Sequence, residues 1–190
     1  MMTKTQRRKS VLIAKDVLKQ IRFLNVQQGK YLYFNRLGIM KDKNSVGESL
    51  QSLLPELLKQ KECTVCGLGA CFLSHVKLYN KFDIDSGILY SKEVNSDQMF
   101  PVLVKSLGPR NMALIESAFE TSDRSSNFRV TRVEADILAA VRFGRKHRDC
   151  SKRLRAIMLN VIKNDGEFTV KPTEEEIKWA KQICIWHTGF

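Results

Sequence analysis

Apolar residues recur every three or four positions through most of this chain, a period that helices satisfy and strands do not. The pattern is cleanest at Leu154, Ile157, Met158, Val161 and Ile162, a stripe closed by Asn164-Asp165-Gly166, residues suited to a left-handed helix stop. The same spacing predicts helices from Ser10 to Asn25, from Ser45 through Leu50, Leu53, Leu54, Leu57 and Leu58 with a break at Pro55, and from Cys66 to Phe82. Further helices are predicted from Ser96 to the Gly108-Pro109 stop, over Met112, Ile115, Ala118 and Phe119, and from Thr131 through Val133, Ile137, Leu138 and Val141. Thr173 and Glu176 form a capping box for the last one. Lys30–Phe34 (KYLYF) reads as a short strand, half of a hairpin, and Glu120–Asn127 as a polar loop. A chain of 190 residues, 43% apolar and 27% charged, can build a sizeable core. The expectation is a mostly α fold of seven or eight helices, one domain over residues 1–190 in which residues 1–9 are a basic tail.

The charge is less ordinary. Lys and Arg number 32 against 20 Asp and Glu, a net +12, which favours an acidic partner. Residues 1–60 carry a net +8, residues 61–120 a net −1 and residues 121–190 a net +5, so the positive potential belongs to the two ends. No run approaches the roughly 18 apolar residues of a membrane span, and Lys15, Asp16 and Lys19 interrupt any signal-peptide core. Five cysteines, an odd number, read as reduced thiols. A cytoplasmic protein with no membrane partner is expected.

Within the basic C-terminal third, Arg142–Arg155 (RFGRKHRDCSKRLR) holds seven cations and one acid. The candidate ligand-binding residues are Arg142, Arg145, Lys146, His147, Arg148, Lys152, Arg153 and Arg155. On a helix Arg142, Arg145, Lys146 and Asp149 share a face. Asp149 or Ser151 can cap the following helix, which places Lys152, Arg153 and Arg155 at a helix start, where cations oppose the macrodipole unless an anion joins them. The plainer alternative is a solvated face with Asp149 in ion pairs. Lys4, Arg7, Arg8 and Lys9 form a second basic group, read as a solubilising end.

Cys63, Cys66, Cys71 and His75 form C-x2-C-x4-C-x3-H, four soft donors that would suit zinc. Helical geometry opposes that reading, because Cys66 and Cys71 would lie about 140° apart around the axis. Gly67, Ala70, Cys71 and Ser74 instead make a small-residue face for close helix packing, with Leu68, Phe72 and Val76 in the core. Packing is preferred, with no cofactor expected and zinc as the alternative. Cys184 and His187 could only supplement such a site, and Asp83 and Asp85 read as turn residues before Gly87. No G-x-G-x-x-G, P-loop, G-x-S-x-G or H-E-x-x-H occurs, and three histidines are thin stock for acid–base chemistry. Nothing in these patterns recommends an enzyme.

Three segments carry a family resemblance: Cys63–Cys71 (CTVCGLGAC), Met112–Phe119 (MALIESAF) and Arg153–Phe168 (RLRAIMLNVIKNDGEF). Together they resemble a family of small tailed-bacteriophage proteins with C-x-V-C-x-x-G-A, L-I-E-x-A-F-E and R-L-x-A-I-M-x-N-I-I-x-N-x-G-x-F segments. The resemblance covers about half of the chain and brings no catalytic residues. It implies an accessory protein in a bacterial host cytosol that counters host defence or redirects host machinery. The expected function is non-enzymatic capture of a nucleotide-like anion or of an acidic host-protein surface. The alternative is a DNA- or RNA-binding regulator with structural zinc at Cys63–His75.

Overall fold

Thr3, not Ser10, opens the first helix. In a computed structural model, which describes residues 2–29, 31–34, 63–79, 96–121 and 134–187, the Thr3 hydroxyl accepts the Gln6 N–H at 3.1 Å. The Gln6 side chain accepts the Thr3 N–H in return at 2.9 Å, closing a capping box. Helix α1 (Lys4–Gln20) therefore runs through the segment expected to be a basic tail, and Ser10 is buried in its middle.

The chain continues through a 3-10 turn (Ile21–Phe23), β1 (Asn25–Val26), β2 (Leu32–Phe34) and β3 (Cys63–Val65). Helices α2 (Gly67–Tyr79), α3 (Ser96–Leu107), α4 (Pro109–Glu120), α5 (Ala135–Arg145), α6 (Cys150–Lys163) and α7 (Glu174–His187) follow. The fold is mostly α, as the apolar period predicts, with seven helices among the described residues and one three-stranded sheet. The strand expected at KYLYF is β2, and it pairs antiparallel with β3, Tyr33 opposite Thr64. On the other side β3 runs parallel to β1, with Val26 opposite Val65.

Helix α2 is buried on every side from Gly67 to Val76, the signature of a central helix. Its small residues admit close neighbours: a Cβ on Gly67 would stand 2.9 Å from the Phe119 side chain of α4, and one on Gly69 would strike the Tyr31 carbonyl. Asp16 of α1 reaches Lys77 of α2 at 2.8 Å. At the other flank of α1, Arg7 lies against Gly166, whose φ of +94° ends α6, and pairs with Glu167 at 2.8 Å. The head of α1 thus meets the tail of α6, and the two helices pack against each other. Asn111 of α4 fastens the junction, donating to the Gly166 carbonyl at 3.0 Å and accepting the Phe168 N–H at 2.6 Å.

The Asn164-Asp165-Gly166 stop forms as expected, Asp165 also at positive φ, and so does the Thr173–Glu176 capping box. The helix expected over Ser45–Leu58, the turn at Asp83 and Asp85, the loop from Ser122 and the start at Thr131 lie outside the described residues, as do the side chains of Cys184 and His187. Among the described residues no helix is long and apolar enough to cross a membrane.

Helices α4 and α5 approach most closely at Gly144, where a Cβ would overlap the Ala118 carbonyl. Gly144→Ala must therefore push the two apart. A loss of about 1–3 kcal/mol is expected, read as a lower midpoint in thermal or urea unfolding; an unchanged midpoint would show that the contact is not tight.

Candidate anion-binding site

The basic cluster is not one helical face. Helix α5 stops at Arg145, with Lys146 as its C-cap, and Asp149 caps α6, its carboxylate accepting the Lys152 N–H at 2.7 Å. The chain's own carboxylate thus fills the N-terminal position of α6 where a bound anion was expected. The eight candidate residues separate accordingly.

Arg153 is turned inward and is 5% exposed. Its Nε donates to the carbonyls of Gly144 at 3.2 Å and His147 at 3.0 Å, and Nη1 donates to Phe119 at 2.8 Å. Those oxygens belong to the C-terminal ends of α5 and α4, where helices leave carbonyls unpaired and negative dipole ends gather. Its assignment as a ligand residue is corrected: the guanidinium holds three helix ends together. Arg142 is also engaged, through Glu176 at 2.8 Å and the Lys171 carbonyl at 2.9 Å. Burial raises the Glu176 carboxyl, but the Arg142 guanidinium and the Thr173 cap outweigh it and hold the group below its usual range. His147 is half-buried against Phe143, with ring centroids 5.9 Å apart.

Arg145, Lys146, Arg148, Lys152 and Arg155 are exposed. Arg145 makes one long bond, 3.4 Å, to the Thr121 carbonyl. Together with Lys146 it borders a groove of about 680 Å³ between α5 and α7. Leu138, Val141, Arg142, Arg145 and Lys146 form one wall at i, i+3, i+4, i+7 and i+8. Glu175, Glu176 and Trp179 of α7 form the other, and Trp179 is 50% exposed. The sequence reading missed Trp179; its signal was a large aromatic ring one turn after the capping Glu176 on an otherwise charged surface. Lys152 and Arg155 lie on α6. A second cavity, about 510 Å³, sits beside Met2, Pro109, Leu114 and Phe168, but its charged lining is paired, Arg110 with Asp136 and Glu134, and Glu167 with Arg7.

The zinc alternative fares poorly. Cys63 begins β3, Cys66 is the residue before α2, and Cys71 and His75 stand one turn apart within it. His75 Nδ1 lies 3.0 Å from the Ser106 hydroxyl. Among the described residues no three His, Cys, Asp or Glu side chains gather to hold an ion. Burial pushes the Cys71 thiol up to about 12, and it raises Cys66 as well, with Glu120 adding to that shift. Protonated thiols of this kind pack as small apolar groups.

The sequence also gave no warning of an acid pair beside Cys66, Glu116 buried and Glu120 half-buried. Glu116 accepts the Tyr31 hydroxyl at 2.8 Å, while its other oxygen is buried without a partner. One turn later Glu120 accepts the Gly29 N–H at 2.9 Å. Burial raises both carboxyls above their ordinary value of 4.5. No family model, curated protein or solved structure matches the chain.

A raised folded-state acid costs stability at high pH. Below pH 4.5 both folded and unfolded chains hold the Glu116 proton. As the pH rises past that value the unfolded chain releases it first, and stability falls until the folded carboxyl ionises. Glu116→Gln keeps an acceptor for Tyr31 and removes this titration. Its melting temperature is expected to exceed that of the parent at neutral pH, with the gap closing toward pH 4. A constant gap, or a less stable variant at pH 7, would show that Glu116 is carried ionised at no cost.

Proposed function

We propose that this protein is a non-enzymatic binder that takes a nucleotide-like anion into the groove between α5 and α7. One observation carries the reading. The groove combines two cations without carboxylate partners among the described residues, Arg145 and Lys146, with the half-exposed ring of Trp179 and the apolar floor of Leu138 and Val141. Phosphate suits guanidinium and ammonium groups, and a nucleobase suits an indole face. The groove volume falls within the usual range for small ligands, about 300–1,000 Å³. Glu175 makes the site selective, because it repels a bare anion and accepts from an exocyclic amino group. The resemblance to tailed-phage proteins supports a setting in the infected bacterial cytosol, where sequestering a nucleotide signal would counter host defence.

Titration with ATP, followed by tryptophan fluorescence and calorimetry, tests the reading. Saturable binding with one site per chain is expected. Reversal of Arg145 and Lys146 to Glu, or Trp179→Ala, should weaken it by about tenfold or more while the melting temperature stays put. Absence of saturable binding by any of the four ribonucleoside triphosphates at millimolar concentration would overturn it.

A further inference from the structure

Beyond the groove, the solvent face of α1 carries Lys4, Arg8, Lys15 and Lys19, and Arg22 extends the line into the 3-10 turn. At 3.6 residues per turn the first four fall within about 60° of arc, a single row roughly 25 Å long. Leu12 sits in that row, exposed. The acid of α1, Asp16, points the other way, buried and paired with Lys77. Helix α6 repeats the arrangement: Lys152, Arg155 and Lys163 share its solvent face with exposed Leu159, and the helix contains no acid. Of the acids at its ends, Asp149 serves as the cap and Glu167 pairs with Arg7, while Asp165 lies in the turn beyond the row. None of these eight cations makes an ion pair among the described residues.

Because α1 and α6 pack against each other, with Arg7 set on the end of α6, the two rows stand on neighbouring helices. Packed helix axes stand about 8–10 Å apart, so the two rows make a ribbon of positive charge, and the carboxylate at its seam, Glu167, is already paired with Arg7. We infer that this ribbon is a docking surface for the phosphate backbone of double-stranded DNA. A regular polyanion matches two long rows of one sign, whereas an acidic protein surface offers scattered carboxylates. The rows carry no aromatic side chain on which unpaired bases would stack, apart from Phe23 beneath the Arg22 guanidinium at 4.6 Å, which disfavours single strands. The roughly 12 Å major groove of B-form DNA admits a helix with its cations against the phosphates; the major groove of A-form RNA is deep and narrow. Contacts of this kind position a protein on DNA without reading its sequence.

The test is fluorescence anisotropy with a labelled DNA duplex of about 20 base pairs, longer than a 25 Å row covers at 3.4 Å per base pair. Duplex RNA and single-stranded DNA of equal length run beside it. Binding is expected to be tightest for duplex DNA, indifferent to sequence, and steeply salt-dependent, with a log–log slope of about −4 or steeper. Lys15→Glu with Lys19→Glu, and Arg155→Glu with Lys163→Glu, should each weaken it by about tenfold or more. The matching Gln pairs, which disturb folding least, should each reduce the slope by about 2. The groove variant, Arg145 and Lys146 to Glu, should leave DNA affinity within a factor of about two, and the row variants should leave ATP titration unchanged. Four results would overturn the inference: no duplex binding at low salt, tighter binding of duplex RNA or single strands, losses at the groove equal to those at the rows, or capture of an acidic protein with no DNA binding.

Discussion

A buried guanidinium with no carboxylate bonded to it is costly to place, and Arg153 is placed where that cost is met by helix ends, with the Glu120 carboxylate close enough to feel its charge. Its three carbonyl partners close α4 and α5, and its own backbone begins α6. The neighbouring contact, Gly144 on the Ala118 carbonyl, requires those helices to pass at backbone distance. Side chains also reach the carbonyls at the end of α4. Gln28 donates to Phe119 and Glu120, and Arg145 reaches Thr121. The corner that presents the exposed cations is thus built on a cation that is not exposed at all.

This division explains how a strongly basic chain remains compact. Arg7, Arg110 and Arg142 are neutralised by Glu167, by Glu134 and Asp136, and by Glu176. Of the remaining exposed cations among the described residues, Arg145 and Lys146 border an aromatic groove, a larger group lies along α1 and α6, and Lys105, Arg148, Lys171, Lys178 and Lys181 stand elsewhere. Both arrangements cost some self-repulsion in the free protein, which an anionic partner relieves. The interior follows the opposite rule: Glu116 and Glu120 lie beside a thiol and a phenol, in surroundings that favour their protonated forms.

Much of the fold was legible from the period of apolar residues, because α3 and α6 each bury a stripe with a stop signal nearby, and α7 announces itself by its capping box. Helix α1 was misplaced at its start. Thr3-x-x-Gln6 is a readable capping box, but four cations in the next six residues resembled a tail, and Ser10, a good cap by type, is buried in mid-helix. Of the face expected for Arg142, Arg145, Lys146 and Asp149, the first three border the groove together, while Asp149 leaves it because α5 ends at Arg145 and Asp149 caps α6. The inward turn of Arg153 was not, because its partners are carbonyls 34, 9 and 6 residues away, and carbonyls carry no sequence signature. Trp179 escaped for a related reason: half-exposure of an aromatic ring depends on which helix packs beside it. Cys71 was readable as core from the small-residue face of its helix, whereas Cys63 is buried on β3 and Cys66 just before α2, where helical angles do not apply.

Thermal unfolding of Arg153→Met beside Arg145→Met tests the account at its centre. Removing the Arg153 guanidinium leaves buried carbonyls unpaired, a loss of about 3–5 kcal/mol, and the melting temperature should fall by roughly 10 °C. Arg145→Met, on the surface of the same corner, should move it by no more than about 2 °C. Equal midpoints for the two variants and the parent would contradict the assignment of Arg153 as the tie between the three helix ends.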